Sequence, residues 1–316
     1  MLKLIRASGL ATVQDSGRRG YLSQGVPVSG VLDTLSFKMA NMALGNTDEA
    51  ACIEFMGRFD WVCAEPCVAM LASRHGRMTV NKQDKQSGQL VELQDGDIIQ
   101  MESQPYAPWG LFCMAGGVQV PLVMGSRSTC SVAAFGGYLG RTLKSGDVIR
   151  VGAKTATETL QKELNTQRRL ALPSSVGEDA QVVRFIPGPD YSTLPSQTQG
   201  EFTQQTYRVS SQASRMGYRL DGMPLQLGPL TSGPSYVAQP GLIQLPPSGF
   251  PIVLLADAQA TGGYPRLGTV IQADLWKFAH WGSGQPLRFL PTSFDEARHA
   301  LQEQSRDLMR VKVALA

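Results

Sequence analysis

The chain is short of histidine, of charge and of long apolar runs, and each shortage removes a class of function. Only three histidines occur in 316 residues and no G-x-S-x-G elbow is present, so a nucleophile served by a histidine base finds little support. His280 stands in an apolar helical stretch beside Trp276 and Trp281 and reads as a packing residue, whereas His75 and His299 have polar surroundings and read as surface residues. Charged residues make up 17%, 29 basic against 26 acidic, with no long run of either sign and no RNA- or DNA-binding motif. That balance argues against a nucleic-acid partner. The amino terminus, MLKLIRASGLATVQD, carries one short apolar patch without the h-region of a signal peptide. No later window reaches membrane-spanning length, and the expectation is a soluble, cytoplasmic protein with no membrane partner. The cysteines (Cys52, Cys63, Cys67, Cys113 and Cys130) are an odd five, which favours reduced thiols over a disulfide framework. Cys63, Cys67 and His75 lack a metal-site spacing and a fourth ligand, so no metal site is expected.

Glycine and proline are plentiful, 33 and 19, and the mix suits a β-rich protein with many turns. Two segments, Leu93-Gln-Asp-Gly-Asp-Ile-Ile-Gln-Met and Leu143-Lys-Ser-Gly-Asp-Val-Ile-Arg-Val, repeat one device, a Gly-Asp turn that launches an alternating strand. Residues up to about Val151 are therefore expected to be mostly sheet. One helix interrupts them, capped by Asp33, with Leu35, Met39, Met42 and Ala43 as its apolar face and Gly45-Asn46 as its end. The polar, alanine- and glutamine-rich stretch that breaks at Pro173 marks a boundary. The expected layout is a β-rich domain over 1–152, a helix and linker over 153–180, a second β domain over 181–292, and a C-terminal helix and tail over 293–316. In the second domain strands are expected at 182–186, 207–210, 241–245, 252–256 and 287–290. A helix is expected near 272–280, and the C-terminal helix opens with Ser293 and Glu296 at capping-box spacing.

Four stretches carry residues suited to chemistry. In the run from Gly241 to Pro265, the apolar strand 252–256 ends in Asp257, then Gln259, Thr261, Gly262, Gly263 and Tyr264. Polar groups lifted off the end of a buried strand are rigidly held, and paired glycines let a backbone approach a ligand. A tight turn leaving a strand is the plain alternative, and the Tyr264–Pro265 bond is a candidate cis peptide. A second stretch, Asp15, Ser16, Gly17 and Arg18 followed by Ser29 and Gly30, places two glycine turns with an acid, an arginine and a serine where backbone amides can meet an anion. A loop pinned by an Asp–Arg pair is equally admissible. The third is Gly125-Ser-Arg127-Ser-Thr, whose hydroxyls and guanidinium suit phosphate or carboxylate, although the Gly-Lys-[Ser/Thr] ending of a Walker A loop is missing and a solvent-exposed loop is the favoured alternative. The fourth holds Arg215 and Arg219, near enough in sequence to meet one anion, with ion pairs elsewhere in the fold as the alternative.

Taken in order, VQDSGRRGYLSQGVPVSGVLD, GSRST…GGYLGRTL, SSQASRMGYRLDG and GLIQLPPSGFPIVLLADAQATGGYP resemble the family of 5-oxoprolinase C subunits (allophanate hydrolase subunit 2, KipA-like), related to the carboxyltransferase region of biotin-dependent urea carboxylase. The likeness is colinear from about residue 3 to 300, with Ala258 and Ala260 standing where the family's loop usually has arginine and threonine. The resemblance implies a mainly β protein of two β-rich domains, the C-terminal one a cyclophilin-like barrel. It also implies two partners, a KipI-like B subunit of 5-oxoprolinase and the A subunit. The complex would open 5-oxoproline to glutamate with ATP, together with Mg2+, at the level of the complex. In that setting Asp257, Gln259 and Asp15 would be catalytic. Arg18, Ser29, Arg127, Arg215, Arg219, Thr261, Gly262, Gly263 and Tyr264 would hold the lactam or an anion. Two other readings stay open: carboxyl transfer from carboxybiotin, and a KipA-like role that acts by binding alone. For the former no biotin would be bound covalently here, because no Met-Lys-Met occurs and the nearest text, Phe37-Lys38-Met39, lies inside the expected helix.

Overall fold

A computed structural model describes residues 1–153, 164, 169–173, 181–228 and 233–315. Most of the stretch 153–180, expected as helix and linker, lies outside those residues. Two compact units emerge, one comprising Met1–Arg18, Ser29–Pro173 and Asp307–Ala316, the other Arg19–Val28 and Ser174–Arg306.

The first unit is built on β1 (Leu2–Gln14), β2 (Cys52–Cys63), β3 (Cys67–Ala72), β4 (Arg77–Val80), β5 (Gln83–Lys85), β6 (Leu90–Leu93), β7 (Ile98–Glu102), β8 (Gly110–Met114) and β9 (Val148–Ile149). They form a sheet ordered β5-β4-β7-β2-β8-β3-β6, with β1 pairing β2 along its length and β9 pairing β1. Its core gathers Val13, Ile53, Phe55, Phe59, Trp61, Leu71, Met101 and Phe112, all nearly or fully buried. The repeated Gly-Asp device is real in both copies. Gly96 and Gly146 take positive φ, 85° and 96°, which favours glycine at each turn. Asp97 and Asp147 then accept from the backbone N–H three residues back, at 2.7 Å in each case. The helix α1 (Thr34–Ala43) is capped as expected, Asp33 Oδ1 accepting from the Ser36 N–H at 2.9 Å. Of the expected face, Met39 and Ala43 are buried and Met42 packs half-buried against the core, and the face is wider than expected. Phe37, Ala40 and Asn41 are buried as well while Leu35 is half-exposed, Asn41 being drawn inward by bonds to Ala50 O and Asn46.

The second unit holds β10 (Val182–Pro187), β11 (Tyr207–Val209), β12 (Gly217–Asp221), β13 (Tyr236–Val237), β14 (Leu242–Gln244), β15 (Ile252–Leu254), β16 (Thr261–Gly262), β17 (Arg266–Val270) and β18 (Pro286–Pro291). Seven of these close into a barrel in the order β10-β17-β14-β15-β12-β11-β18, sealed by the parallel pair β10 and β18, and β13 pairs β16 in a separate ribbon. The protein is thus mainly β, as expected, with a closed barrel in its second half. Each expected strand is present within a residue or two of its place. Phe185, Phe202, Tyr207 and Phe289 stack edge-to-face and in parallel at 4.8–6.0 Å, filling the barrel with aromatic area.

The segment Gln272–His280 is a 3-10 helix held by a buried ion cluster: Asp274 accepts from the Arg184 backbone and guanidinium at 2.8–3.0 Å and pairs with Lys277 at 3.1 Å. Trp276 packs edge-on against His280 at 5.3 Å, which gives His280 the packing role expected of it. The C-terminal helix, Phe294–Leu315, opens on the expected capping box: Ser293 N–H and Oγ donate to Glu296, whose own N–H donates to Ser293 Oγ. A further helix, Ser196–Gln204, has no counterpart in the sequence reading. Among the described residues no helix is long and apolar enough to cross a membrane.

Candidate active site

The buried strand Ile252–Leu254 continues through Leu255 and Ala256 to Asp257, which is 3% exposed. Its carboxylate is met in bidentate fashion by Arg215, with Nε to Oδ2 at 2.9 Å and Nη2 to Oδ1 at 3.1 Å. The Asp257 N–H also donates to the Arg215 carbonyl, so side chains and backbone tie the two loops at one point. Such a fork-to-carboxylate pair, held out of water, leaves neither charge facing solvent. Arg219 is exposed on the outward face of β12 while Arg215 is turned in, so the two do not form the shared anion clamp that their spacing suggested.

Beyond Asp257 the loop leans on a ribbon. Thr261 and Gly262 pair antiparallel with Val237 and Tyr236, Ala238 N–H donates to Ala260 O, and Gly233 N–H donates to Gly263 O. Gly262 is required by packing: a Cβ there would stand 2.3 Å from Gln244 Nε2 and 3.2 Å from the Tyr236 ring. The space it leaves lets buried Gln244 donate to the Tyr236 hydroxyl at 2.8 Å, and that hydroxyl donates to the Tyr264 carbonyl. Arg266 lies over the Tyr236 ring at 4.7 Å and binds Asp190 through its backbone N–H and Nε at 2.8 and 3.0 Å. Burial tends to raise the Asp190 carboxyl, but the Arg266 bonds outweigh it and hold it below its ordinary value; burial raises the Tyr236 phenol, opposed by the Gln244 bond. Gln259, Thr261 and Tyr264 are exposed, and Gly263 is half-buried. No cis peptide is present among the described residues, so Tyr264–Pro265 is trans, against the suggestion of its aromatic–proline pairing. Tyr236, Gln244, Arg266 and Asp190 were missed from sequence because the first three lie on separate strands and Asp190 in a loop; the signal was the inward place of Gln244 in an otherwise apolar strand.

The first unit holds the Asp15 constellation. Asp15 is buried, and its Oδ1 accepts from Ser126 Oγ at 2.7 Å, Ser128 Oγ at 2.5 Å and the Gly17 N–H at 2.9 Å. Oδ2 accepts from the Arg127 N–H at 2.6 Å. Arg18 is 1% exposed, donates to Val123 O and Ser128 O at 3.0 and 2.9 Å, and lies over Phe135 at 4.7 Å. Arg127 Nε donates to Val120 O at 3.1 Å. Ser29 is buried with φ 56°, next to Gly30, whose N–H donates to Gln14 Oε1. The structure therefore brings Asp15, Arg18, Arg127 and the 125–129 loop together, through carboxylate-to-hydroxyl and guanidinium-to-carbonyl bonds. Asp15 and Asp257 belong to different units.

Comparisons with known proteins cover nearly the whole chain. The model of the family described as carboxyltransferase domain, subdomain A and B, matches residues 24–291. The chain belongs to this family. Within it, the chain is 33% identical over 311 residues to the C subunit of 5-oxoprolinase from Escherichia coli (strain K12), covering 97% of this chain and 96% of that one. The protein of the same name from Haemophilus influenzae is 30% identical over 302 residues, covering 94% and 93%. Among solved structures, Kluyveromyces lactis urea amidolyase superposes with a TM-score of 0.85 at 24% identity, over 98% of this chain and 20% of that one, and shows the fold. The protein TTHA0988 gives 0.79 at 26% identity over 92% of this chain and 55% of that one.

Proposed function

We propose that this carboxyltransferase-family chain is the C subunit of an ATP-dependent 5-oxoprolinase, working with the A and B subunits to open 5-oxoproline to glutamate. The observation that supports it best is end-to-end similarity to a stand-alone 5-oxoprolinase subunit, 97% of one chain against 96% of the other, where urea amidolyases match over 17% of their length.

In this reading the 257–265 loop meets the lactam. Gln259, Thr261 and Tyr264 offer neutral amide, hydroxyl and phenol groups, which suit an uncharged lactam better than a phosphate. Asp257 and Arg215, locked to each other, position the loop rather than touch the substrate. Arg266, its side chain 34% exposed and steadied by Tyr236 and Asp190, is the cation placed to take the substrate carboxylate. An unactivated lactam resists hydrolysis; ATP, when bound, would supply a phosphoryl group to the amide oxygen, which opens the carbonyl carbon to attack so that the ring C–N bond breaks and the phosphoryl group ends as inorganic phosphate. The residues described here do not fit a nucleotide site of their own. No phosphate loop occurs in the sequence, Arg18 is buried against carbonyls, and among the described residues no three His, Cys, Asp or Glu side chains gather where a metal would bind. In this reading the nucleotide and Mg2+ are assigned to the partner proteins. A strain lacking this chain should accumulate 5-oxoproline, and wild-type levels in that strain would contradict the proposal.

A carboxyltransferase reading is favoured by the family model itself and by the urea amidolyase relatives. It requires carboxybiotin on another chain, so turnover sensitive to avidin would select it.

A further inference from the structure

The first unit has a polar cleft remote in sequence from the residues discussed above. It measures about 450 Å3 and is lined by Arg74, His75, Arg169, Ala171 and Leu172. Two lining side chains are guanidinium groups, one is an imidazole, and none is acidic. Arg74 Nη1 donates to Leu172 O at 3.1 Å and Arg169 Nε donates to Ser87 O at 3.0 Å. Carbonyls anchor the two guanidinium groups without neutralising them, and among the described residues no carboxylate pairs with either. Each keeps further N–H donors in a planar fork, the arrangement that recognises oxyanions.

The wall of the cleft is fixed. Leu170 N–H donates to Gly88 O at 2.8 Å, Gly88 N–H donates to Leu71 O at 2.8 Å, and Gln89 and Arg169 form a bridge. On the other side the His75 ring packs edge-on against Tyr106 at 5.3 Å. Both arginines are exposed side chains lining the cleft, so water screens their mutual repulsion, and a multiply charged anion between them would gain from both charges.

We propose that this cleft binds a small, multiply charged oxyanion, phosphate or a dicarboxylate, between Arg74 and Arg169. The inference is independent of the 5-oxoprolinase reading. The test is calorimetric titration of the full chain with inorganic phosphate and, separately, glutamate, at ionic strength held constant with sodium chloride. Saturable heat with one probe identifies which source of oxyanion the cleft takes. Arg74→Gln and Arg169→Gln should each weaken binding about tenfold or more, as loss of a charge-assisted contact does. Because either change also removes a backbone anchor, Ala171→Glu serves as the second variant. It leaves both anchors in place and puts a carboxylate where the anion would sit, and it should abolish binding with the urea midpoint unchanged. No saturable heat from either probe, or equal affinity in Ala171→Glu, would overturn the proposal.

Discussion

Replacing Asp257 with alanine separates a structural role from a chemical one. The change removes the carboxylate that meets the Arg215 fork, whose side chain is 9% exposed. Removing one partner of a buried pair costs about 3–5 kcal/mol, because the remaining charge stays desolvated. Domains are stable by about 5–15 kcal/mol, so this is a large share of the total. With a urea m-value of about 1–3 kcal/mol per molar, the midpoint of the second unit should fall by at least about 1 M. Replacing both partners with apolar residues of similar size, Arg215→Met with Asp257→Leu, should recover most of that loss. If Asp257 acts by holding the loop, turnover by the assembled enzyme should recover with stability, to within about a hundredfold of the parent, the range a misplacement of about 1 Å allows. An Asp257→Ala protein within about 1 kcal/mol of the parent would refute the reasoning, since a buried pair cannot be broken so gently. A stable double variant without turnover would instead give Asp257 a direct part in the chemistry.

Gly262→Ala should push Gln244 off the Tyr236 hydroxyl and destabilise the second unit by about 1–3 kcal/mol, the usual cost of overpacking, read from the urea midpoint. Asp15→Ala leaves four donors without their acceptor, and at about 1–3 kcal/mol for each buried donor left unmet, amide exchange in the first unit should accelerate by orders of magnitude. Burial tends to raise the Asp274 carboxyl, but Arg184 and Lys277 outweigh it and hold it below its ordinary value. Its stabilising contribution is therefore complete above the unfolded value of about 3.9 and is lost as pH falls through the folded one. Asp274→Asn should flatten that acid limb in a pH series of thermal melts. Burial pushes the Cys67 thiol up to about 12, so at pH 8 it should resist iodoacetamide in the native protein and react once unfolded; rapid native labelling would count against this burial.

What was legible in the sequence was local. Asp33, Ser293 with Glu296, and the two Gly-Asp turns each satisfy backbone groups within three or four residues, and all appear in place. Strand positions were legible too, because alternation and proline or glycine bounds act over short windows. Partners were not. Arg215 finds its carboxylate 42 residues away, and Asp15 finds hydroxyls 111 and 113 residues away, through strand pairing that no spacing rule encodes. The Tyr236–Gln244–Arg266 group fails for the same reason, its members lying on three separate strands. The wider buried face of α1 is different in kind: Asn41 is polar by composition and buried by its bonds, so a hydrophobic pattern does not include it.

The most direct test of the functional claim is ring opening in vitro. Glutamate and ADP release from 5-oxoproline and ATP would be followed with this chain and its two partner proteins, then with each protein left out. The account predicts coupled release from the full mixture and none without this chain. Undiminished release in its absence would contradict the claim that it is an obligate part of the enzyme.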